Sequence, residues 1–246
     1  MRKRIYIAYT GGTIGMRHTR NGYHPEPGYL QHQMKAMPEL RQRSMPATVV
    51  NEYEPLLDSS NMTPAEWAKI ARDIAEHYDD YHGFLVLHGT DTMAYTASAL
   101  PFMLNGLSKP VIITGSQIPL CEVRNDAREN LITSLLIAAN HPIPEVCLYF
   151  GGRLLRGCRA VKVSADGFAA FASPNMPPLG TVGTEIEINW PLVRRTRSRK
   201  LRLEEFRSRA VVSALRLFPG IAPDLVRNVL RPPLQGLVLE AYGVGN

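Results

Sequence analysis

Short, uniformly apolar runs alternate with longer segments of helical spacing along the first two thirds of the chain. Residues 5–9 (IYIAY), 84–87 (FLVL), 111–113 (VII) and 146–150 (VCLYF) are four such runs. Apolar runs this short, bounded by turn residues, predict strands buried on both faces. A weaker alternation over 48–53 predicts a further strand. Trp67, Ile70, Ile74 and Tyr78 instead recur at helical spacing. Just ahead of them, Thr63-Pro64-Ala65-Glu66 supplies an N-cap hydroxyl, a proline at the first helical position and the glutamate of a capping box, so a helix starts there. Further helices are predicted over 92–104, in spite of Pro101, and over 125–139. Strand-then-helix order, repeated, predicts an α/β fold: a large N-terminal three-layer domain over 1–190 with a mainly parallel sheet.

The pattern changes near Pro191. Arginine dominates Arg194-Arg195-Thr196-Arg197-Ser198-Arg199-Lys200-Leu201-Arg202, and the stretch 191–210 reads as a solvated linker. Beyond it, 211–217, 222–230 and 236–240 read as strand, helix and strand. They are the start of a smaller C-terminal α/β domain over 211–246, with too few elements to cover both faces of a sheet. Within the first domain, the polar segment 17–28 reads as a mobile loop carrying Tyr23, and 151–157 as a hairpin leading on towards Lys162.

Composition narrows the class. The chain has 246 residues, 45% of them hydrophobic and 20% charged, which allows a substantial core and excludes a disordered or collagen-like chain. A net charge of +6 admits an acidic partner, but the excess is concentrated in the basic run, which has no aromatic interleaving. Nucleic acid is therefore not an expected partner. Cys121, Cys147 and Cys158 are odd in number and contain no CxxC pair, so neither a disulfide framework nor a zinc site is expected. Only residues 5–9 follow the basic start as an apolar stretch, short of the roughly 7–15 residues of a signal core. No run approaches the roughly 20 apolar residues of a membrane span, so a cytoplasmic protein without a membrane partner is expected.

The chemistry concentrates in two turns. Thr10-Gly11-Gly12-Thr13-Ile14-Gly15 follows the first apolar run, and His88-Gly89-Thr90-Asp91-Thr92 follows the run over 84–87. In a parallel sheet, strand carboxyl ends converge on one crevice, and a threonine held on a glycine turn presents its hydroxyl to a carbonyl carbon. His88 has no HxH or HxxxH partner, so a strand-end hydrogen bond is expected of it rather than a metal. The first turn is neither GxxxxGK[ST] nor GxGxxG, which leaves nucleotide binding without support.

Together with Tyr23, Asp58-Ser59-Ser60-Asn61-Met62, Thr114-Gly115-Ser116-Gln117, Lys162-Val163-Ser164-Ala165-Asp166-Gly167 and Gly243-Val244-Gly245-Asn246, these turns resemble the bacterial-type L-asparaginases, and most closely their cytoplasmic, type I branch. The resemblance runs over nearly the whole chain. It implies hydrolysis of L-asparagine to L-aspartate and ammonia through a threonine acyl-enzyme, with no cofactor and no metal. It assigns Thr13 as nucleophile, Tyr23 as a lid tyrosine, and Thr90, Asp91 and Lys162 as a second catalytic group. Asp58, Ser59, Ser60, Thr90, Asp91 and Ser116 would hold the substrate. Which threonine leads the chemistry stays open. The resemblance further implies a homodimer or homotetramer, and a C-terminal domain longer than 211–246, so that a truncated chain is expected. Two alternatives stand beside it: a non-catalytic amino-acid-binding remnant, and the asparaginase-like subunit of a tRNA-dependent amidotransferase.

Overall fold

The computed structural model describes residues 2–20, 22–195, 200–206 and 210–245. Two compact units divide the chain, Met1–Glu205 and Phe206–Asn246. The first unit is built on an eight-stranded sheet. From one edge to the other its strands are Ile186–Ile188, Gly180–Val182, Arg153–Arg156, Val146–Phe150, Val111–Thr114, Gly83–Leu87, Arg4–Gly11 and Ala47–Leu57. The five from Val146–Phe150 to Ala47–Leu57 are parallel, and the remaining three run antiparallel to their neighbours.

Alternation along the apolar runs supplies both faces with core. Tyr6, Ala8, Phe84, Val86, Ile113 and Leu148 point to one side, where they meet Ile70 and Ile74 of the Pro64–Glu76 helix and Leu100 of the Met93–Met103 helix. Ile5, Ile7, Leu85, Leu87, Ile112 and Cys147 point to the other, where they meet Leu30 and Met34 of the Tyr29–Ala36 helix and Leu131 and Leu135 of the Ala127–Asn140 helix. The three-layer α/β architecture follows from these two covered faces. The capping box at Thr63 forms as its sequence predicts, with Glu66 accepting from the Thr63 backbone at 2.7 Å.

Four segments depart from expectation. The polar stretch read as a mobile loop is mostly a β-hairpin, Met16–Thr19 paired with Gly22–Pro25. The Tyr29–Ala36 helix and the paired strands Gly180–Val182 and Ile186–Ile188 carry too few buried positions to be read from periodicity. Part of the expected linker is tethered to the first unit: Arg202–Leu203 pairs antiparallel with Leu104–Asn105, and Leu201 packs on the core. Residues 196–199 and 207–209, which include much of the basic run, lie outside the described residues.

A buried ion pair holds the far end of this unit. Glu145, nearly inaccessible, accepts from Arg156 Nε at 2.6 Å and Nη2 at 3.0 Å, and from the Arg194 backbone at 2.7 Å. The second unit pairs Val212–Arg216 with Gly236–Glu240 in parallel, joined through the Pro223–Val229 helix. None of its described residues is fully buried, as a single covered pair of strands requires.

Within the sheet, the first strand in sequence, Arg4–Gly11, has the second, Ala47–Leu57, on one side and the third, Gly83–Leu87, on the other. Strand order therefore reverses between Arg4–Gly11 and Gly83–Leu87. The crevice beyond the carboxyl ends of such a pair is where open α/β sheets bind ligands.

Candidate active site

Both threonine turns emerge at this switch point. Gly12 has φ 91°, a conformation side-chain-bearing residues rarely adopt, and a Cβ there would lie 2.5 Å from Gly89 N. A Cβ on Gly89 would lie 2.4 Å from Ser59 Oγ. Three turns distant in sequence thus meet at Gly89, backbone to backbone with Gly12 and backbone to side chain with Ser59, and only glycine permits that approach. Thr10 Oγ1 adds a hydrogen bond to Leu87 O at 2.9 Å, fastening the first strand end to the third.

His88 sits beneath this junction in the strand-end role expected of it. Its Nδ1 lies 2.6 Å from Gly89 O and its Nε2 2.8 Å from Thr96 Oγ1. A carbonyl only accepts, so Nδ1 carries the proton and Nε2 accepts from the threonine. Burial lowers the imidazole pKa to about 4 and keeps the ring neutral.

Thr13 opens a short turn of 3-10 helix, Thr13–Gly15, and is half-buried. A turn threonine commonly bonds its own backbone, but among the described residues no hydrogen bond engages the Thr13 hydroxyl. It is free to meet a ligand.

The second threonine is committed on both sides. Lys162 Nζ donates to Thr90 Oγ1 at 3.0 Å and to Asp91 Oδ1 at 2.7 Å. Thr90 Oγ1 donates in turn to Gln117 Oε1 at 3.3 Å. Lys162 rides on a two-residue strand, Val161–Lys162, paired with Phe171–Ala172. Its side chain is 21% exposed, whereas that of Asp91 is 63% exposed, so the ammonium is sheltered while its counter-ion faces solvent. As an ammonium, Lys162 only donates.

Asp58 and Ser59 line up beside the turns through local geometry. Asp58 Oδ1 accepts from Ser60 N at 2.9 Å and so caps the Ser59–Asn61 turn, while the residue itself stays exposed. Ser59 is buried, and its carbonyl accepts from Thr92 Oγ1 at 2.6 Å. Ser60 is exposed. Ser116 is 1% exposed and its Oγ has no partner among the described residues. A buried hydroxyl left so costs about 1–3 kcal/mol, a cost that a ligand contact removes.

Tyr23 stands apart. It is 42% exposed, and its hydroxyl donates to Glu122 Oε1 at 2.8 Å; among the described residues no hydrogen bond joins it to Thr13. That hydrogen bond is the main cause raising its pKa. Asp91 and Lys162 also border a cavity of about 470 Å³, walled by Ala94, Tyr95, Ser98, Ala160 and Val161.

The family described as Asparaginase, N-terminal, matches residues 4–194, a span holding both threonine turns and Lys162. The chain belongs to the asparaginase family. It is 53% identical to L-asparaginase 1 of Escherichia coli strain K12 over 246 residues, covering all of this chain and 72% of that protein. The crystal structure of L-asparaginase I from Vibrio cholerae O1 biovar eltor str. N16961 superposes with a TM-score of 0.93 at 48% identity, over 100% of this chain and 74% of that one. The human 60 kDa lysophospholipase is 45% identical over 265 residues, 99% of this chain and 46% of its own.

Two polar residues of this asparaginase were not singled out by sequence reasoning. Gln117 accepts from Thr90, and its Nε2 donates to Ala165 O and Gly167 O at 3.1 Å each, tying the loop after Lys162 to the second threonine. Its position next to Ser116 in the Thr114–Gln117 motif was the available signal. Glu122, the partner of Tyr23, sits in no motif and had none.

Proposed function

We propose that this asparaginase hydrolyses L-asparagine to L-aspartate and ammonia through a threonine acyl-enzyme. The observation that carries the reading is the Thr90–Lys162–Asp91 contact, formed on a turn whose Gly89 backbone packs against Gly12, next to a Thr13 hydroxyl without a hydrogen-bond partner among the described residues. A carboxamide is a weak electrophile, so its cleavage needs a nucleophile, a proton path and polar groups that fix the substrate.

In this reading the Thr13 oxygen attacks the side-chain carboxamide carbon, and its proton is passed on to the departing nitrogen. Ammonia leaves, and a β-aspartyl ester joins the substrate to Thr13. Water then adds to the ester carbon and the C–O bond to Thr13 breaks, releasing aspartate and restoring the hydroxyl. Neutral Lys162, oriented by Asp91, is suited to take a proton through Thr90. Asp58 provides a carboxylate for the substrate ammonium, and Ser59, Ser60, Asp91 and Ser116 supply further polar contacts. Tyr23 is assigned to the lid.

Asparagine is the proposed substrate because the E. coli relative at 53% identity carries the L-asparaginase name. A homodimer or homotetramer in the cytoplasm is the proposed form. Among the described residues no helix is long and apolar enough to cross a membrane. Ammonia release from L-asparagine tests the reading, with L-glutamine and a lysophospholipid as parallel substrates. Binding of asparagine without turnover would favour the non-catalytic alternative, and fatty-acid release alone would favour ester chemistry.

A further inference from the structure

Asp126 holds the position from which an aspartate ordinarily caps its own helix, and it does not cap. It precedes the Ala127–Asn140 helix, yet its side chain makes no capping bond there, and Asn125 Oδ1 accepts from Arg128 N at 3.0 Å instead. Both oxygens of the buried Asp126 turn back to the end of the Val111–Thr114 strand. Oδ2 accepts from Gln117 N at 2.9 Å and Oδ1 from Ile118 N at 3.0 Å. One helical turn on, Asn130, 1% exposed, donates from Nδ2 to Gly115 O at 3.0 Å and to Asp126 Oδ2 at 3.3 Å, while its Oδ1 accepts from Gly151 N at 3.3 Å. Carbonyls only accept and backbone N–H groups only donate, so the contacts fix the orientation of the Asn130 amide. The residues on either side of Ser116 are thus gripped from one helix end.

What the grip aims is the Gln117 side chain. Its Nε2 faces two carbonyls, Ala165 O and Gly167 O, at 3.1 Å each, which leaves Oε1 for Thr90. The Thr90 hydroxyl has a single proton, and giving it to Gln117 at 3.3 Å leaves a lone pair for the Lys162 ammonium at 3.0 Å. Gln117 therefore sets the direction in which that hydroxyl faces. The bond is long for a hydroxyl donor, so a small shift of the Gln117 backbone breaks it.

We infer that Asp126 is a positioning residue for the reaction: with Asn130 it fixes the 115–118 turn, so that Gln117 orients the Thr90 hydroxyl and holds the loop after Lys162. The inference rests on the asparaginase reading, in which Thr90 and Lys162 move the proton. Asp126 acts through Gln117 alone.

The test is a kinetic cycle with an activity-independent companion. Asp126→Ala is expected to lower kcat on L-asparagine roughly tenfold, with KM within about threefold, since the Thr90 hydroxyl serves the chemical step. Asp126→Asn keeps one acceptor oxygen for the turn and should recover about half of that loss on a logarithmic scale. In a Gln117→Ala background, Asp126→Ala should change kcat by less than about twofold. The companion reads the 163–167 loop, where the Val163 and Gly167 amides are hydrogen-bonded and Gln117 holds two carbonyls. Its amide hydrogen exchange, followed by mass spectrometry, should accelerate in Asp126→Ala as in Gln117→Ala, at unchanged circular dichroism. A role confined to the helix end would leave that distant loop unaffected. Wild-type kcat in Asp126→Ala, or an equal loss with and without the Gln117 side chain, would overturn the inference. If the unmodified chain releases no ammonia, the asparaginase reading fails. Faster exchange of the loop would then still uphold the grip of Asp126 on Gln117, and unchanged exchange would remove it too.

Discussion

Lys162 Nζ lies 3.0 Å from Thr90 Oγ1 although 72 residues separate the two in sequence, and the same ammonium reaches Asp91 Oδ1 at 2.7 Å. One cation thereby links a strand-end turn to a short peripheral strand. The contact carries a directional prediction. Lys162→Met keeps most of the side-chain bulk and removes the proton-accepting nitrogen, so ammonia release should fall at least a hundredfold. Because the lysine is partly exposed, thermal stability should change little. Recovery of near-wild-type turnover at high pH would point to an indirect electrostatic role.

Thr13→Ala removes the unengaged hydroxyl and nothing that holds the turn. Turnover of L-asparagine should drop by roughly three orders of magnitude or more, with substrate binding measured by calorimetry largely kept. A variant retaining a tenth of wild-type kcat would shift the nucleophile's role to Thr90.

Gly12→Ala is expected to be costly without touching any catalytic side chain. The added methyl group meets Gly89 N at 2.5 Å in a left-handed backbone conformation, and both neighbours are main chain that cannot swing away. A loss of about 2–4 kcal/mol in urea denaturation is expected, together with loss of activity as the two turns separate.

The Glu145–Arg156 pair should be worth far more broken than replaced. Glu145→Ala leaves a buried guanidinium without its carboxylate and should destabilise by about 3–5 kcal/mol. The double change Glu145→Leu with Arg156→Met should recover most of that loss. Chemical denaturation of the three variants checks both statements.

His88 predicts an acid-side loss of stability. Its folded pKa, about 4, lies below the ordinary value of 6.5, so the unfolded chain binds the proton first. Above pH 6.5 both states are neutral and the full stability is present. As pH falls from 6.5 to about 4, stability should drop by about 3 kcal/mol from this group alone. The decline should flatten below that range. In His88→Gln, the slope between pH 6.5 and 4 should shrink by the share of one proton.

Much of the frame was legible because its signals are local. The Thr63 capping box lies within four residues, and the apolar runs at 5–9, 84–87, 111–113 and 146–150 are strands because each is covered on both faces. The hairpin carrying Tyr23 was not legible, since the described residues of Gly22–Pro25 are all exposed and show no alternation. The Tyr29–Ala36 helix was hidden by its length of eight residues, with only Leu30 and Met34 buried and no capping side chain.

By itself the sequence determined the layered α/β frame, the two glycine turns and the residue types needed for amide chemistry, because strand burial, turn geometry and capping depend on neighbours along the chain. Tertiary structure alone decided which groups meet. Strand reversal between Arg4–Gly11 and Gly83–Leu87 brings Gly12 against Gly89, the Val161–Lys162 strand delivers the ammonium to Thr90, and the turn at 117–122 places Glu122 on Tyr23. Hydrogen bonds fall away within a few tenths of an ångström, and the separation of residues in sequence sets no such distance.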